Sequence, residues 1–398
     1  MSRPDLVPAY LRWSLARSAA ARGWWTVTAV YLVVVASLRP FELVLIGTFQ
    51  GLTVVLTELP AGVLADRVSR RLALVVAHVV SGTGMALAAA VHDFPSLVVA
   101  NCLWGMGWAF ASGADVAWIT DELVDDADVS IDGVLAAQGR WDLLGNPVGI
   151  ALFGLLAWAT SLATAMACAG MCMAALGIVV ARWPERPRRH VDDVTLVTWR
   201  TILDDGVRMA RIDRVLLAVL ASNALLNGSA EGYGRLYERR LVTLGLPNPP
   251  TPIVWFTALG LATVVLRVAT LRAMERRIEQ PDTARRSYVL SCVVGAVGLV
   301  LFAFAPSAAT AVAAAFVVSG LGAIPRVAAT IRVNRRTTST VRATVHSLLS
   351  WSENVGEIVF GLTLALIAAA TTATIALLAA AVLLALAGAV GAVHDTSG

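Results

Sequence analysis

The chain has 398 residues, of which 58% are hydrophobic and only 15% charged, with a mean hydropathy of +0.73. A water-soluble protein of this length needs far more charge to cover its surface, so the composition excludes a soluble globular class and points to a membrane protein. All 31 basic residues are arginine, and they collect between apolar runs, so the net charge of +4 reads as membrane orientation and not as nucleic-acid binding.

A bilayer span needs about 20 apolar residues. Twelve such segments follow in order: 11–37, 43–64, 72–91, 96–119, 133–158, 161–182, 214–237, 252–273, 286–305, 308–330, 343–369 and 371–393. The first carries Arg17 and Arg22, and no A-x-A-like cleavage site follows the opening residues, so it reads as a span and not a signal peptide. The second runs into Glu58-Leu-Pro-Ala-Gly-Val-Leu-Ala-Asp-Arg-Val-Ser-Arg-Arg71. There Gly62, Asp66, Arg67, Arg70 and Arg71 follow the pattern G-x-x-x-D-R-x-G-R-R, with Ser69 in place of its second glycine. Physically, Gly62 permits close helix approach, Asp66 suits a helix N-terminus, and the arginines suit lipid headgroups. An ordinary positively charged membrane loop is the bland alternative. The pattern resembles the loop between the second and third helices of major facilitator superfamily transporters. That resemblance implies an all-α membrane protein with twelve transmembrane helices in two pseudo-symmetric six-helix bundles. It also implies a cytoplasmic gate motif made of Glu58, Gly62, Asp66, Arg67, Arg70 and Arg71.

Further stretches resemble the drug-efflux, proton-antiporter branch of that family. Ser112-Gly-Ala-Asp-Val-Ala-Trp-Ile-Thr-Asp121 is similar to its fourth helix, Gly145-Asn-Pro-Val-Gly149 to a degraded G-P-x-x-G-G motif of the fifth, and Val341–Ser350 to the start of the eleventh. Where that branch has R-x-x-x-G in helix four, this chain reads Asn101-Cys-Leu-Trp-Gly105. The arginine credited with proton coupling is absent, so another group must titrate if protons drive transport. Residues 183–213 separate the six-span halves 1–182 and 214–398; this basic linker has an apolar spacing, through Trp199, Ile202 and Leu203, suited to an interfacial helix. Gly149-x-x-x-Phe153-Gly154 in the fifth span matches Gly356-x-x-x-Phe360-Gly361 in the eleventh, its expected counterpart in a two-repeat chain.

With a cytoplasmic N-terminus, the outer connections hold only Arg39, Arg239 and Arg240, and the inner ones hold most of the rest. The positive-inside rule then places both termini in the cytoplasm of a multi-pass cell-membrane protein. Charges deep in the bilayer are costly and mark function. Arg22 and Glu231 lie deep in the first and seventh spans, and a salt bridge between them is expected. Glu353 and Glu357 are one turn apart in the eleventh, a like-charge pair that is unfavourable when both are ionised. A proton shared between them relieves that repulsion, which makes the pair a proton-coupling candidate with Glu231 as its rival; a structural hydrogen-bonding role is the alternative. Arg140 and Asp142 are too close in sequence to share a helix face and read as helix locks, while Asp115, Arg267 and Arg326 lie near inner ends and read as structural. Trp24, Trp25, Trp104, Trp108, Tyr233 and Tyr237 fall on the first, fourth and seventh spans, which line the cavity in the family resembled. With Arg22, Asn101 and Glu231 they form the candidate substrate cavity, although Trp and Tyr also favour membrane interfaces.

These readings converge on a secondary active transporter, exporting small amphipathic or drug-like compounds in exchange for protons by alternating access. A metabolite facilitator or importer is the alternative, and a non-transporting scaffold or lipid-handling protein is an alternative of another class. The expected partners are a small-molecule substrate, protons and the lipid bilayer, with no nucleic acid, in a monomer. No P-loop, metal-ligand set, cofactor motif or enzymatic site is found, and the four cysteines lie within apolar runs as small buried thiols.

Overall fold

The computed structural model describes residues 3–124, 129–186, 214–278, 281–336 and 339–393. The interfacial helix expected within 183–213 lies outside the described residues beyond Arg186. The helices are α1 (Arg3–Val34), α2 (Pro40–Val63), α3 (Arg70–Ala90), α4 (Phe94–Ala111), α5 (Ala114–Leu123), α6 (Ile131–Ala159) and α7 (Leu162–Ala181). They continue as α8 (Arg214–Thr243), α9 (Pro252–Ile278), α10 (Pro281–Ala303), α11 (Ala308–Leu321), α12 (Ala323–Arg336), α13 (Ser339–Ala370) and α14 (Ala373–Gly391). Short polar residues begin many of them. Ser69, Asp93, Ser130, Ser161, Ser307 and Thr372 each accept a backbone N–H of the first helical turn, satisfying a donor that the helix itself leaves open.

Among the described residues, eleven helical stretches are long and apolar enough to cross a membrane. α1 is long enough at 32 residues, but it carries Arg12, Arg17 and Arg22. Two expected spans are broken. The fourth parts at Gly113, whose φ of 76° lies in the left-handed region that favours glycine. The tenth parts between Leu321 and Ala323; Pro325 has no N–H to offer the Leu321 carbonyl four residues back, so the helical ladder is interrupted there.

The chain forms two compact units. The first is Met1–Leu38, Phe49–Val194 and Pro247–Leu261, and the second is Arg39–Thr48, Thr195–Leu246 and Ala262–Gly398. The start of α2 therefore belongs to the second unit and the start of α9 to the first, whereas the sequence reading assigned each helix whole to its own half. In the first unit a Cβ built on Gly154 would lie 2.7 Å from Thr257 Cγ2 of α9; in the second, one built on Gly361 would lie 3.0 Å from Thr48 Oγ1 of α2. The matched glycines thus accept matched threonines.

The same correspondence governs the main crossing in each unit. α1 packs against α6, with Gly149 over Ala19 Cα (2.7 Å from a built Cβ) and Gly23 against Phe153 Cγ (2.9 Å). α8 packs against α13, with Gly356 over Ala224 Cα (2.6 Å) and Gly228 against Phe360 Cβ (2.5 Å). Each crossing pairs a glycine on one helix with a backbone on the other, and a phenylalanine one turn on with the partner's glycine. Small residues allow such close approach where burial against lipid gives helices no hydrophobic reason to associate.

Candidate functional site

In the first unit, the motif after α2 closes a π-helical turn, Leu64–Val68, and its polar groups are tied to two other segments. Arg70 forms an ion pair with Asp121 of α5, donates to the Ala117 carbonyl at 2.5 Å and lies 3.9 Å from Asp66. Arg71 donates to the Trp183 carbonyl at 2.7 Å, and its guanidinium lies 3.6 Å from Glu185. Ser69 donates to Glu185 at 2.6 Å, and the Arg71 amide reaches the same carboxylate at 3.1 Å. Serine at the position where the family resembled has glycine is thus both the cap of α3 and a ligand of Glu185. Trp183 stacks on Trp118 at 4.4 Å and packs edge-on to Trp13 at 5.4 Å. Sequence reading placed 183–186 at the start of a linker; Trp183 and Glu185 instead complete the first unit. Asp66 and Arg67 are exposed, Glu58 is half-buried, and a Cβ built on Gly62 meets nothing within 4 Å. Close helix approach is therefore not what Gly62 supplies.

Above this loop, a polar network joins α1, α5 and α6. Asp142 accepts from Ser14 (2.6 Å) and Ser18 (2.5 Å), with Arg17 at 3.9 Å, and Arg17 also lies 3.4 Å from Asp115. Gln138 donates to Asp115 at 3.3 Å. Asp142 and Asp115 do bind helices together, as expected. Arg140 is exposed and forms no ion pair among the described residues.

Of the expected cavity residues in this unit, four form a tryptophan group. Trp24 is fully buried and donates to the Met85 carbonyl at 3.2 Å. Trp104 stacks on Trp24 at 5.6 Å and on Trp108 at 6.0 Å, with Trp25 tilted against it at 5.6 Å. Trp108 is 53% exposed. Asn101 is buried and donates to the Leu97 carbonyl of its own helix at 2.8 Å. Arg22 is half-buried, three residues before Trp25 on α1.

In the second unit, the three carboxylates named from the sequence come together. Glu231 of α8 receives Arg235, one turn along, at 2.7 Å. Gly47 of α2 makes room for that pair, since a Cβ built there falls 2.6 Å from Arg235 Nε. The Glu231 carboxylate thus has an ion-pair partner on its own helix. Glu353 of α13 is paired at 3.0 Å with Arg326 of α12, which also donates to Asn227 of α8 at 2.6 Å. Glu357 lies one turn beyond, within the field of Glu231, Glu353, Arg326 and Arg235, and makes no ion pair among the described residues. The sequence places Arg326 among the inner-end arginines; it sits beside Pro325 at the break in the tenth span, with its side chain 55% exposed. Tyr233 and Tyr237 pack on each other and on Phe302, at 5.5 and 5.9 Å from that ring, and the Tyr233 hydroxyl lies 3.3 Å from Ser319 Oγ. Two of the three carboxylates are thus paired with arginine, and the third makes no ion pair among the described residues.

No protein-family model and no curated protein matches the sequence. Solved structures do. The nucleoside transporter NupG is similar with a TM-score of 0.78 at 15% identity, covering 97% of this chain and 98% of that one. A bacterial homologue of the human lysosomal transporter Spinster, in an inward-facing conformation, is similar with a TM-score of 0.72 at 13% identity, covering 98% and 97%. The POT family transporter PepTSo gives 0.74 at 12% identity, covering 98% of both chains. Together with the all-helical, two-unit architecture and its matched halves, these likenesses establish that the chain has the major facilitator fold.

Proposed function

We propose that the protein is a secondary transporter that moves small amphipathic or drug-like compounds out of the cell in exchange for protons, by alternating access. The observation that carries this reading is the charge group of the second unit, in which Glu357 stands beside two arginine-neutralised carboxylates without an arginine of its own. A carboxylate at membrane depth is costly when ionised and unpaired, and binding a proton removes that cost. Glu353, through Arg326, and Glu231, through Arg235, set the field in which Glu357 gains and loses it. The three share their protons as a group, so no single titration belongs to one of them. The motif loop, with Asp66 and the bound arginines Arg70 and Arg71, serves as the cytoplasmic gate, and both chain termini face the cytoplasm.

A metabolite importer is the second reading. It is favoured by the likeness to NupG, which is named as a nucleoside transporter. One experiment separates the two. Cells expressing the protein are given a panel of fluorescent dyes, antibiotics and nucleosides, with and without an uncoupler. Export predicts lower dye or antibiotic accumulation that the uncoupler restores. Uncoupler-sensitive uptake of a nucleoside with no change in the dyes supports import instead, and no effect on any compound contradicts both.

A further inference from the structure

The tryptophan group of the first unit is a ladder with a direction. Trp24 is anchored in the bundle by its N–H on the Met85 carbonyl. Trp104 lies over it with ring planes 22° apart, and Trp108 lies over Trp104 at 27°. The step from Trp104 to Trp108 is four residues, about one helical turn and about 6 Å of rise, so the 6.0 Å between their centroids is the repeat of the helix itself. The next position in that register is 112. It is an exposed serine, and the helix breaks immediately beyond it at Gly113. The outermost indole is therefore followed by a small residue at the one height where a further ring would continue the stack. Space on the neighbouring face of α4 is closed, because Gly105 is covered by Gln50 and Val54 of α2.

We infer that Trp108, with Ser112 as its roof and Trp25 beside Trp104, is the subsite for a flat, fused-ring aromatic part of the substrate. This deepens the transporter reading above and names the chemistry of the compounds moved. A flat ring adopts offset stacking on the outer face of Trp108, the arrangement aromatic pairs prefer. It adds a further ring to pairs whose planes already lie 22° and 27° apart. A bulky aliphatic or propeller-shaped molecule of equal hydrophobicity gains no such fit, and shape discrimination follows.

The test is equilibrium binding to the purified full chain in detergent, which requires no transport and so stands or falls apart from the coupling scheme. The probes are ethidium, which is flat, and tetraphenylphosphonium, which carries the same charge on a non-planar body. Ethidium is expected to bind saturably. Trp108→Ala should weaken it about tenfold, while Trp108→Phe should stay within about threefold, since an aromatic pair contributes a factor of that order. Ser112→Trp leaves Trp108 in place and fills the next rung with an indole; it too should weaken ethidium about tenfold. None of these substitutions should weaken tetraphenylphosphonium as much as Trp108→Ala weakens ethidium. Absence of saturable ethidium binding overturns the inference, and so does unchanged ethidium affinity in Trp108→Ala or Ser112→Trp. Equal loss of both probes overturns it as well, because it would show a general apolar surface without selection for flatness.

Discussion

At the scale of single residues, the structure separates positions that look alike in the sequence. Arg140 and Asp142 are two residues apart and both charged in a span, yet only Asp142 has ligands on α1, in Ser14, Ser18 and Arg17. Asp142→Ala leaves two hydroxyls without an acceptor and Arg17 with one carboxylate, and should lower stability by about 1–2 kcal/mol, the lower part of the range for a lost charged hydrogen-bond acceptor because the group is partly exposed. Arg140→Ala should stay within about 0.5 kcal/mol. Thermal unfolding in detergent measures both, and equal midpoints for the two variants would contradict the assignment. Ser69 offers a sharper comparison. Ser69→Gly restores the residue usual in the family resembled, but it removes the α3 cap and the bond to Glu185, at a cost of a few tenths for a glycine cap up to about 2 kcal/mol. A Ser69→Gly protein as stable as its parent would show that neither bond matters. Such partners were not legible beforehand. The spacing of Gly62, Asp66, Arg70 and Arg71 marks the loop, but nothing in a linear pattern states that Glu185, more than a hundred positions on, is its ligand.

At the scale of helices, periodicity and length were enough to read the spans, because a lipid-facing helix needs an apolar surface over its whole length. The breaks at Gly113 and before Pro325 leave no interruption in the apolar pattern, which continues through both. The second break lies beside Arg326, which meets Glu353 and Asn227, so the coupling proposal depends on it. The repeated Gly-x-x-x-Phe-Gly was legible as three identities, and its meaning lies in packing: both copies sit at the main crossing of their unit. Gly149→Val and Gly356→Val each force a branched side chain into a backbone contact and should destabilise by about 1–3 kcal/mol or prevent folding. Gly62→Ala adds a methyl group to open space and should be tolerated within about 0.5 kcal/mol. Expression and unfolding midpoints of the three variants check this, and a Gly62→Ala loss as large as that of Gly149→Val would contradict it.

At the scale of the whole molecule, the two units are variations on one plan, with α1–α6 matched by α8–α13 and a broken helix in each, but their polar contents differ. The first concentrates aromatic rings, and the second concentrates carboxylates and arginines. The sequence displayed both groups of residues, yet it left open which carboxylate lacks an arginine, because Arg235 and Arg326 are assigned only by the fold. The proposal of proton coupling rests on that assignment. It is tested most directly with Glu357→Gln in vesicles, using a compound that the accumulation panel identifies as transported. Glutamine keeps the shape of the protonated acid and cannot release a proton. Exchange of labelled for unlabelled compound should continue at a rate within about threefold of the parent, while accumulation driven by an imposed pH gradient should fall to background. If Glu357→Gln concentrates the compound against its gradient as well as the parent does, Glu357 does not carry the coupled proton and the central claim fails.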